Sequence, residues 1–238
     1  MALIVLATLC LVGYVAPSTV PLPLRRLVGL ERPLGHPPTV AGEGSYAYIA
    51  HQAGAPNDPV AYDPCDPIHV QLNPAGGPSD ALELTQRALD RVGEATGLHF
   101  IYDGTTDRRP QWRTPYTPSV LGHDQPVLVS FATAAEVPEL DGDVAGIGGS
   151  VRVRSGSLLM HYVTGGVTLD SDAFADILHR PDGESEAQAI VFHEFGHLVG
   201  LAHVDDPDEL MYADNVGLTD FGPGDLTGLA RLGAGRCF

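Results

Sequence analysis

The chain has 238 residues, of which 13 are basic and 30 are acidic, so its formal net charge at pH 7 is −17. A charge of this sign argues against binding to nucleic acid and against docking on anionic lipid, because both need a basic surface. Hydrophobic residues make up 44% of the chain, which is too many for a disordered acidic polypeptide. The length is typical of one folded domain with extensions, or of two small domains.

The N-terminal region begins with an apolar stretch, ALIVLATLCLVGYVA at positions 2–16, and the first charged side chain is Arg25. About 15 apolar residues are short for a membrane span and typical of the core of a signal peptide. We therefore predict a signal peptide over residues 1–24, with an uncleaved membrane anchor as the alternative. The protein is then expected to be extracellular or in the cell envelope, with membrane contact only through this segment.

Residues 25–61 are rich in Pro, Gly and Ala and show no sustained hydrophobic period. This composition predicts a linker or a loosely ordered pro-segment. The folded domain is expected over residues 62–238, where the pattern of apolar residues becomes regular.

Three cysteines occur in the chain. Cys10 lies in the apolar stretch and would leave with a cleaved signal peptide. Cys65 and Cys237 remain as one pair near the two ends of the expected domain. In an exported protein such a pair predicts a disulfide, and two unpaired buried thiols are the alternative.

Apolar runs predict the strands of the domain. Ile68–Leu72 alternates between apolar and polar residues, and Leu98–Tyr102 and Val127–Phe131 are further short apolar runs. Residues 145–169 hold Gly-rich strand material in three pieces, AGIGGSV, LLMHYV and GGVTL.

Helical spacing of apolar residues predicts three helices. The first follows Asp80 as its N-terminal cap and ends at Gly97. The second runs from about Ser185 to Gly200, and the third covers Pro223–Leu232. One strand–helix–strand block followed by more strands and late helices indicates an α+β fold with a mixed sheet.

The chemically informative stretch is HEFGHLVGLAH, from His193 to His203. His193 and His197 are four residues apart, so on a helix their imidazoles lie about 40° apart and one turn along the axis, and both can reach one ion. Gly200 can adopt a positive φ, which would end the helix and bring His203 back as a third ligand. Three imidazoles suit zinc and leave a fourth position for water, as in catalytic sites. The alternative is a core helix that happens to carry histidines, which the third histidine disfavours.

The stretch HEFGHLVGLAHVDDPDELMY resembles the metzincin zinc peptidases, and within them the matrixin family. It is also similar to exported metallopeptidases of high-GC Gram-positive bacteria. The resemblance places Met211 in the Met-turn beneath the zinc and makes Asp225 the aspartate that supports this turn. It implies a metzincin-like zincin domain over residues 62–238, with a twisted mixed sheet, a long N-terminal helix, an active-site helix and a C-terminal helix.

The chain departs from the matrixin pattern at several positions. Val204 replaces a serine and Ala213 replaces a proline. Thr168 replaces a histidine that helps to bind a structural zinc, so we expect only one zinc ion. Asp170 and Asp172 are candidate calcium ligands, but ordinary surface acids are the favoured interpretation.

The predicted activity is that of a zinc-dependent endopeptidase, in which a metal-activated water attacks the peptide bond and Glu194 is the general base. The resemblance implies an extended protein or peptide substrate that adds a strand to a sheet edge. Ala145–Val151 is the candidate edge, with Gly146, Ile147, Gly148 and Gly149 beside the substrate, and a flexible loop is the alternative.

Two other functions stay open. One is a zinc hydrolase acting on a non-protein amide or a cell-wall peptide, and the other is a catalytically silent zinc-binding surface module. A cysteine-switch role for Cys65, in which its thiolate would occupy the fourth zinc position, is disfavoured because Cys65 directly precedes the first domain strand.

Overall fold

The computed structural model describes residues 32–40, 42–113, 116–117, 124–154 and 159–238. The predicted signal peptide or anchor at residues 1–24, Cys10 and residues 25–31 of the predicted linker lie outside these residues. In the described residues no helix is both long and apolar enough to cross a membrane.

The structure is α+β, as the sequence predicted. Nine strands and four α-helices are described. The strands are β1 Ala47–Tyr48, β2 His51–Gln52, β3 Ala55–Pro59, β4 Ile68–Asn73, β5 Phe100–Thr105, β6 Val127–Ala132, β7 Gly146–Arg154, β8 Met160–Asp170 and β9 Leu201–Ala202. The helices are α1 Ala81–Thr96, α2 Ser171–Leu178, α3 Gly183–Val199 and α4 Pro223–Gly233, and Pro138–Leu140 forms one turn of 3₁₀ helix.

A five-stranded mixed sheet with the order β5-β4-β6-β8-β7 forms the centre of the molecule. Strands β5, β4, β6 and β8 are parallel to their neighbours, and β7 runs antiparallel to β8. The two apolar pieces predicted after residue 157 form the single strand β8, because the glycines at 165 and 166 are tolerated within the β7–β8 pair. Among the described residues no strand pairs with the outer side of β7, so β7 is an edge.

Helices α1 and α3 pack together in the hydrophobic core, which includes alternate residues of the central strands. Gln188 of α3 is buried and donates a hydrogen bond from Nε2 to the carbonyl of Leu84 in α1. Helix α1 ends at Gly97, whose φ of 73° agrees with the predicted stop. Asp80 lies at the N-cap position, but its side chain makes no capping hydrogen bond.

The segment before residue 62 carries strands where the composition predicted a linker or loosely ordered pro-segment. Strand β1 pairs antiparallel with β9, with Ala47 opposite Ala202, and β2 pairs with β3. Strands β1 and β2 have two residues each and therefore show no period in the sequence. Strand β3 contains two prolines, which disfavour the prediction of a strand. The pairing with β9 lies directly before His203 in the chain.

The predicted disulfide between Cys65 and Cys237 is confirmed. It joins two Cα atoms 5.4 Å apart across 172 residues of sequence. The Asp63 carboxylate accepts hydrogen bonds from the backbone N–H groups of Cys65 and Phe238, so the C-terminus is held at the start of β4.

Candidate metal centre

Three imidazoles converge at the end of α3. His193 and His197 lie one helical turn apart, and the Nε2 atom of each is 3.1 Å from the Nε2 atom of His203. In the described residues this is one of two groups of potential metal ligands; the other contains the disulfide cysteines. A tetrahedral zinc ion with Zn–N bonds of about 2.0–2.1 Å holds its ligand nitrogens about 3.3 Å apart. The histidine geometry therefore fits a zinc ion.

Backbone carbonyls set the tautomers of two of the histidines. The Nδ1 atom of His193 lies 2.7 Å from the carbonyl oxygen of Leu210, and that of His197 lies 2.8 Å from the carbonyl oxygen of Leu201. Because a carbonyl oxygen only accepts, each Nδ1 carries the proton and each Nε2 keeps a free lone pair. Metal-binding histidines in proteins usually donate their other ring N–H to a carbonyl or carboxylate in this way.

Burial keeps the histidines neutral. Loss of solvent lowers the pKa of His193 to about 4 and that of His197 to about 3. The pKa of the more exposed His203 is also lowered by burial. Neutral imidazoles are the form that binds a metal, so protons do not compete for the site at neutral pH.

Glu194 lies between the two helical ligands in sequence and is 6% exposed. Burial raises the pKa of its carboxyl group to about 8. Its Oε2 atom has no hydrogen-bond partner among the described residues. The Oε2 atom is therefore a buried polar atom that the described residues leave unsatisfied.

The turn after α3 delivers the third histidine. Gly200 has a φ of 126°, and its N–H donates to the carbonyls of Gly196 and His197. The carbonyl of Gly200 in turn accepts from the N–H of Ile49, next to β1. Gly200 therefore ends the helix, as predicted, and the hydrogen bond from Ile49 holds the turn next to β1.

Met211 lies beneath the histidine-bearing helix. It is fully buried, and a Cβ placed on Gly196 would come within 2.6 Å of its sulfur atom. The segment between His203 and Met211 closes on itself, because the N–H of Val204 donates to the carbonyl of Met211 at 3.1 Å. Gly196 is therefore required to be small so that the methionine packs under the helix.

The buried carboxylates of Asp225 and Glu209 link this turn to α4 by hydrogen bonds. One oxygen of Asp225 accepts the N–H groups of Leu210, Met211 and Gly222. Burial raises the pKa of Asp225 to about 6, and these three hydrogen bonds oppose that rise.

Glu209, in the turn, makes the reciprocal hydrogen bonds to α4. Its two carboxylate oxygens accept the N–H groups of Gly224 and Asp225, at the N-terminus of α4, at 2.8 and 2.9 Å. Asp225 was predicted from the sequence, whereas Glu209 was not. The available signal was an acidic residue two positions before Met211 and a Pro-initiated helix whose first N–H groups need acceptors.

Edge strand β7 lies against α3, and two of its glycines, Gly146 and Gly148, face the helix. A Cβ on Gly148 would lie 2.0 Å from the carbonyl oxygen of Glu194, and one on Gly146 would lie 2.8 Å from the Glu194 side chain. Ser150 fixes the contact by donating from Oγ to the carbonyl of Leu198 at 2.6 Å. The glycines at 146 and 148 therefore allow β7 to pack closely on α3, whereas the sequence predicted that they lie beside the substrate.

Thr168, which stands where the matrixin pattern has a histidine, takes part in a hydrogen bond instead. The Oγ1 atom of Thr168 accepts from the indole N–H of Trp112 at 3.0 Å. The Asp170 carboxylate caps α2 by accepting the N–H of Ala173. Asp172 is exposed, as expected of a surface acid, whereas Asp170 is buried at 6% exposure, so the interpretation as a surface acid is wrong for Asp170.

A cavity of about 720 Å³ opens beside the three histidines. Its walls come from α2, α3, the turn before β7 and the segment after Met211. His193, Glu194 and His203 line it, and Tyr212 lines it without belonging to the ligand group.

Residues 131–219 match the model of the matrixin family, Peptidase_M10. This match includes the three histidines, Glu194 and Met211, and it supports a matrixin-like domain with metallopeptidase character. No curated protein matches the chain. Among solved structures, the GM1-bound form of the ECX AB5 holotoxin matches with a TM-score of 0.45 and 11% identity, over 81% of this chain and 91% of that chain. A similarity this low says nothing about function.

Proposed function

We propose that this protein is a zinc-dependent endopeptidase. The observation that carries the proposal is the convergence of three Nε2 atoms, two of them with their Nδ1 protons held by backbone carbonyls, beside a buried and unpartnered Glu194. The matrixin match over residues 131–219 supports the same reaction class.

His193, His197 and His203 would hold the zinc ion, which when bound supplies Lewis acidity toward a carbonyl oxygen and activates water. The chain itself keeps the three imidazoles neutral and correctly oriented. The Leu210 and Leu201 carbonyls fix two rings, and Gly200 and β1 position the loop that carries the third.

Glu194 is the proposed general base. Its buried side chain lines the cavity beside His193, and its Oε2 atom has no hydrogen-bond partner among the described residues. It would accept a proton from water and donate it to the nitrogen of the departing amine. No covalent intermediate on the protein is required.

The substrate is proposed to lie in extended form along β7. An edge strand offers unpaired backbone groups to an added strand, and Ser150 fixes β7 against α3 beside the candidate general base. We also propose that the protein acts outside the cytoplasm, because a disulfide such as Cys65–Cys237 persists in oxidising compartments.

The test combines metal content with cleavage of a mixed peptide library, read by mass spectrometry. We expect one zinc ion per chain and cleavage by the wild-type protein. Glu194→Ala should keep the zinc and lose nearly all cleavage, whereas His203→Ala should lose zinc affinity.

Two results would contradict the proposal. Full cleavage by Glu194→Ala would remove this residue as the base. One bound zinc ion with no peptide cleaved would favour a hydrolase of a non-protein or cell-wall amide, or a silent zinc-binding module.

A further inference from the structure

We infer that the cavity beside the metal centre selects substrates that carry an arginine or lysine next to the scissile bond. The inference rests on the proposed peptidase function and adds its substrate class. It draws on the charge, the partners and the shape of the cavity walls.

The cavity reaches the proposed catalytic groups directly. His193 and Glu194 line it, and the buried Oε2 atom of Glu194 has no hydrogen-bond partner among the described residues. A side chain flanking a peptide bond at the histidines would therefore have this cavity as its nearest enclosed space.

Unpaired carboxylates surround the cavity. Five exposed aspartates line it, and none of their side chains has an ion-pair or hydrogen-bond partner among the described residues: Asp141, Asp143, Asp172, Asp176 and Asp214. Arg180, the one arginine among the described lining residues, is held by Glu186 at 3.1 Å. The cavity therefore keeps a large uncompensated negative charge.

Part of the cavity lining is apolar. Leu140, Ile177 and Ala189 are buried residues that line the cavity, and Ile190 lines it half-buried. A long cationic side chain suits such a space, because its aliphatic stem packs on apolar walls while its charged head reaches the carboxylates.

The wall formed after Met211 is fixed in place rather than loose. The amide of Asn215 donates to the Oε1 atom of Glu186 at 3.0 Å, and its own oxygen accepts the N–H of Gly217. The backbone next to Asp214, which lines the cavity, is thereby tied to α3.

The other classes of side chain fit less well. An acidic side chain would meet five like charges, and a purely apolar one would cover hydrated carboxylates without pairing them. The formal charge of −17 further attracts cationic peptides to the protein as a whole. This general attraction must be separated from selection by the cavity.

The experiment uses zinc-loaded protein and peptides that differ only at the two residues flanking one bond, with Arg, Lys, norleucine or Glu there. We expect cleavage in the order Arg and Lys, then norleucine, then Glu. The double variant Asp172→Asn/Asp176→Asn should lower the ratio of Arg to norleucine about fivefold.

The matched control is Asp90→Asn/Glu94→Gln. These two exposed acids are also four residues apart on a helix, but they lie on α1 outside the cavity. The control changes the net charge equally and should leave the Arg-to-norleucine ratio unchanged. An equal effect of both double variants would reduce the preference to general attraction and overturn the inference.

A binding measurement separates this inference from the proposed function. The Glu194→Ala variant, titrated with the same fluorescently labelled peptides, should bind the Arg peptide more tightly than the norleucine peptide, and the cavity double variant should reduce that difference. Cationic preference in binding without any cleavage would contradict the peptidase function alone. No cationic preference in cleavage or in binding would overturn the inference alone.

Discussion

Replacing Asp225 tests whether the hydrogen bonds between the turn at Met211 and α4 support the candidate metal centre. Its Oδ2 atom accepts three backbone N–H groups, at 2.6 Å from Leu210, 3.3 Å from Met211 and 3.1 Å from Gly222. Asp225 is fully buried, so Asp225→Ala would leave all three donors without a partner and without solvent.

The expected cost follows from these bonds. A hydrogen bond to a charged group contributes about 1.5–3 kcal/mol, and the three are not additive because they share one oxygen. We expect Asp225→Ala to lower the free energy of unfolding by about 4–6 kcal/mol. Asp225→Asn keeps an accepting oxygen and should cost about half as much.

The effect should extend to the zinc. The carbonyl of Leu210, whose N–H is held by Asp225, accepts the Nδ1 proton of His193. Loss of the hydrogen bond that holds Leu210 should lower zinc affinity about tenfold, the smaller effect expected when a contact that orients a metal ligand is lost. Asp225→Asn, which is expected to remain folded, is the variant for this measurement.

Urea denaturation followed by circular dichroism gives the stability, and competition with a chromogenic chelator gives the zinc affinity. Asp220→Asn is the control, because Asp220 has a surface ion pair with Arg91 that is worth less than about 1 kcal/mol. Wild-type stability in Asp225→Ala, or wild-type zinc affinity in Asp225→Asn, would refute the proposed linkage.

Three further predictions concern the packing, the acid–base behaviour and the disulfide. Gly148→Ala should lower the free energy of unfolding by about 2–3 kcal/mol, because the new Cβ would meet the carbonyl of Glu194. Gly149→Ala is the control and should cost less than about 1 kcal/mol, because the nearest atom to its Cβ is 3.6 Å away. Equal losses of stability in urea denaturation would contradict the contact between β7 and α3. In metal-free protein, the raised pKa of Glu194 stabilises the fold below its ordinary pKa of 4.5, and this stability is lost as pH rises through about 8. Glu194→Gln should therefore be more stable than wild type at about pH 9 and similar to it at about pH 4; the same difference at both pH values would exclude burial of the carboxyl as its cause. Replacing Cys65 and Cys237 with serine should lower the unfolding free energy by up to about 5 kcal/mol, and an unchanged midpoint of denaturation would show that the cross-link does not stabilise the fold.

The sequence by itself determined the grouping of His193, His197 and His203. Two of these residues share a helix whose geometry fixes their relative position at a spacing of four, and Gly200 allows the turn that returns the third. The sequence also predicted the α+β class, because local periodicity indicates helices and strands. It predicted the Cys65–Cys237 pair because each of these cysteines has only the other as a partner once Cys10 is assigned to the signal peptide.

Only the tertiary structure decided the surroundings of these groups. Glu209 and Asp225 are separated by 16 residues and hold each other's segments, and no local pattern specifies that exchange. The short strands before residue 62 have no period of their own and are defined by their partners.

The glycines of β7 show the same division. Their presence marked a close approach, but their side of the strand could not be assigned until α3 was seen against it. The acidic cavity likewise gathers side chains from four separate segments. Residues close in sequence constrain one another through backbone geometry, whereas residues distant in sequence meet only when the core has packed. The sequence therefore determined which groups could bind the metal, and the tertiary structure decided what supports them and what faces them.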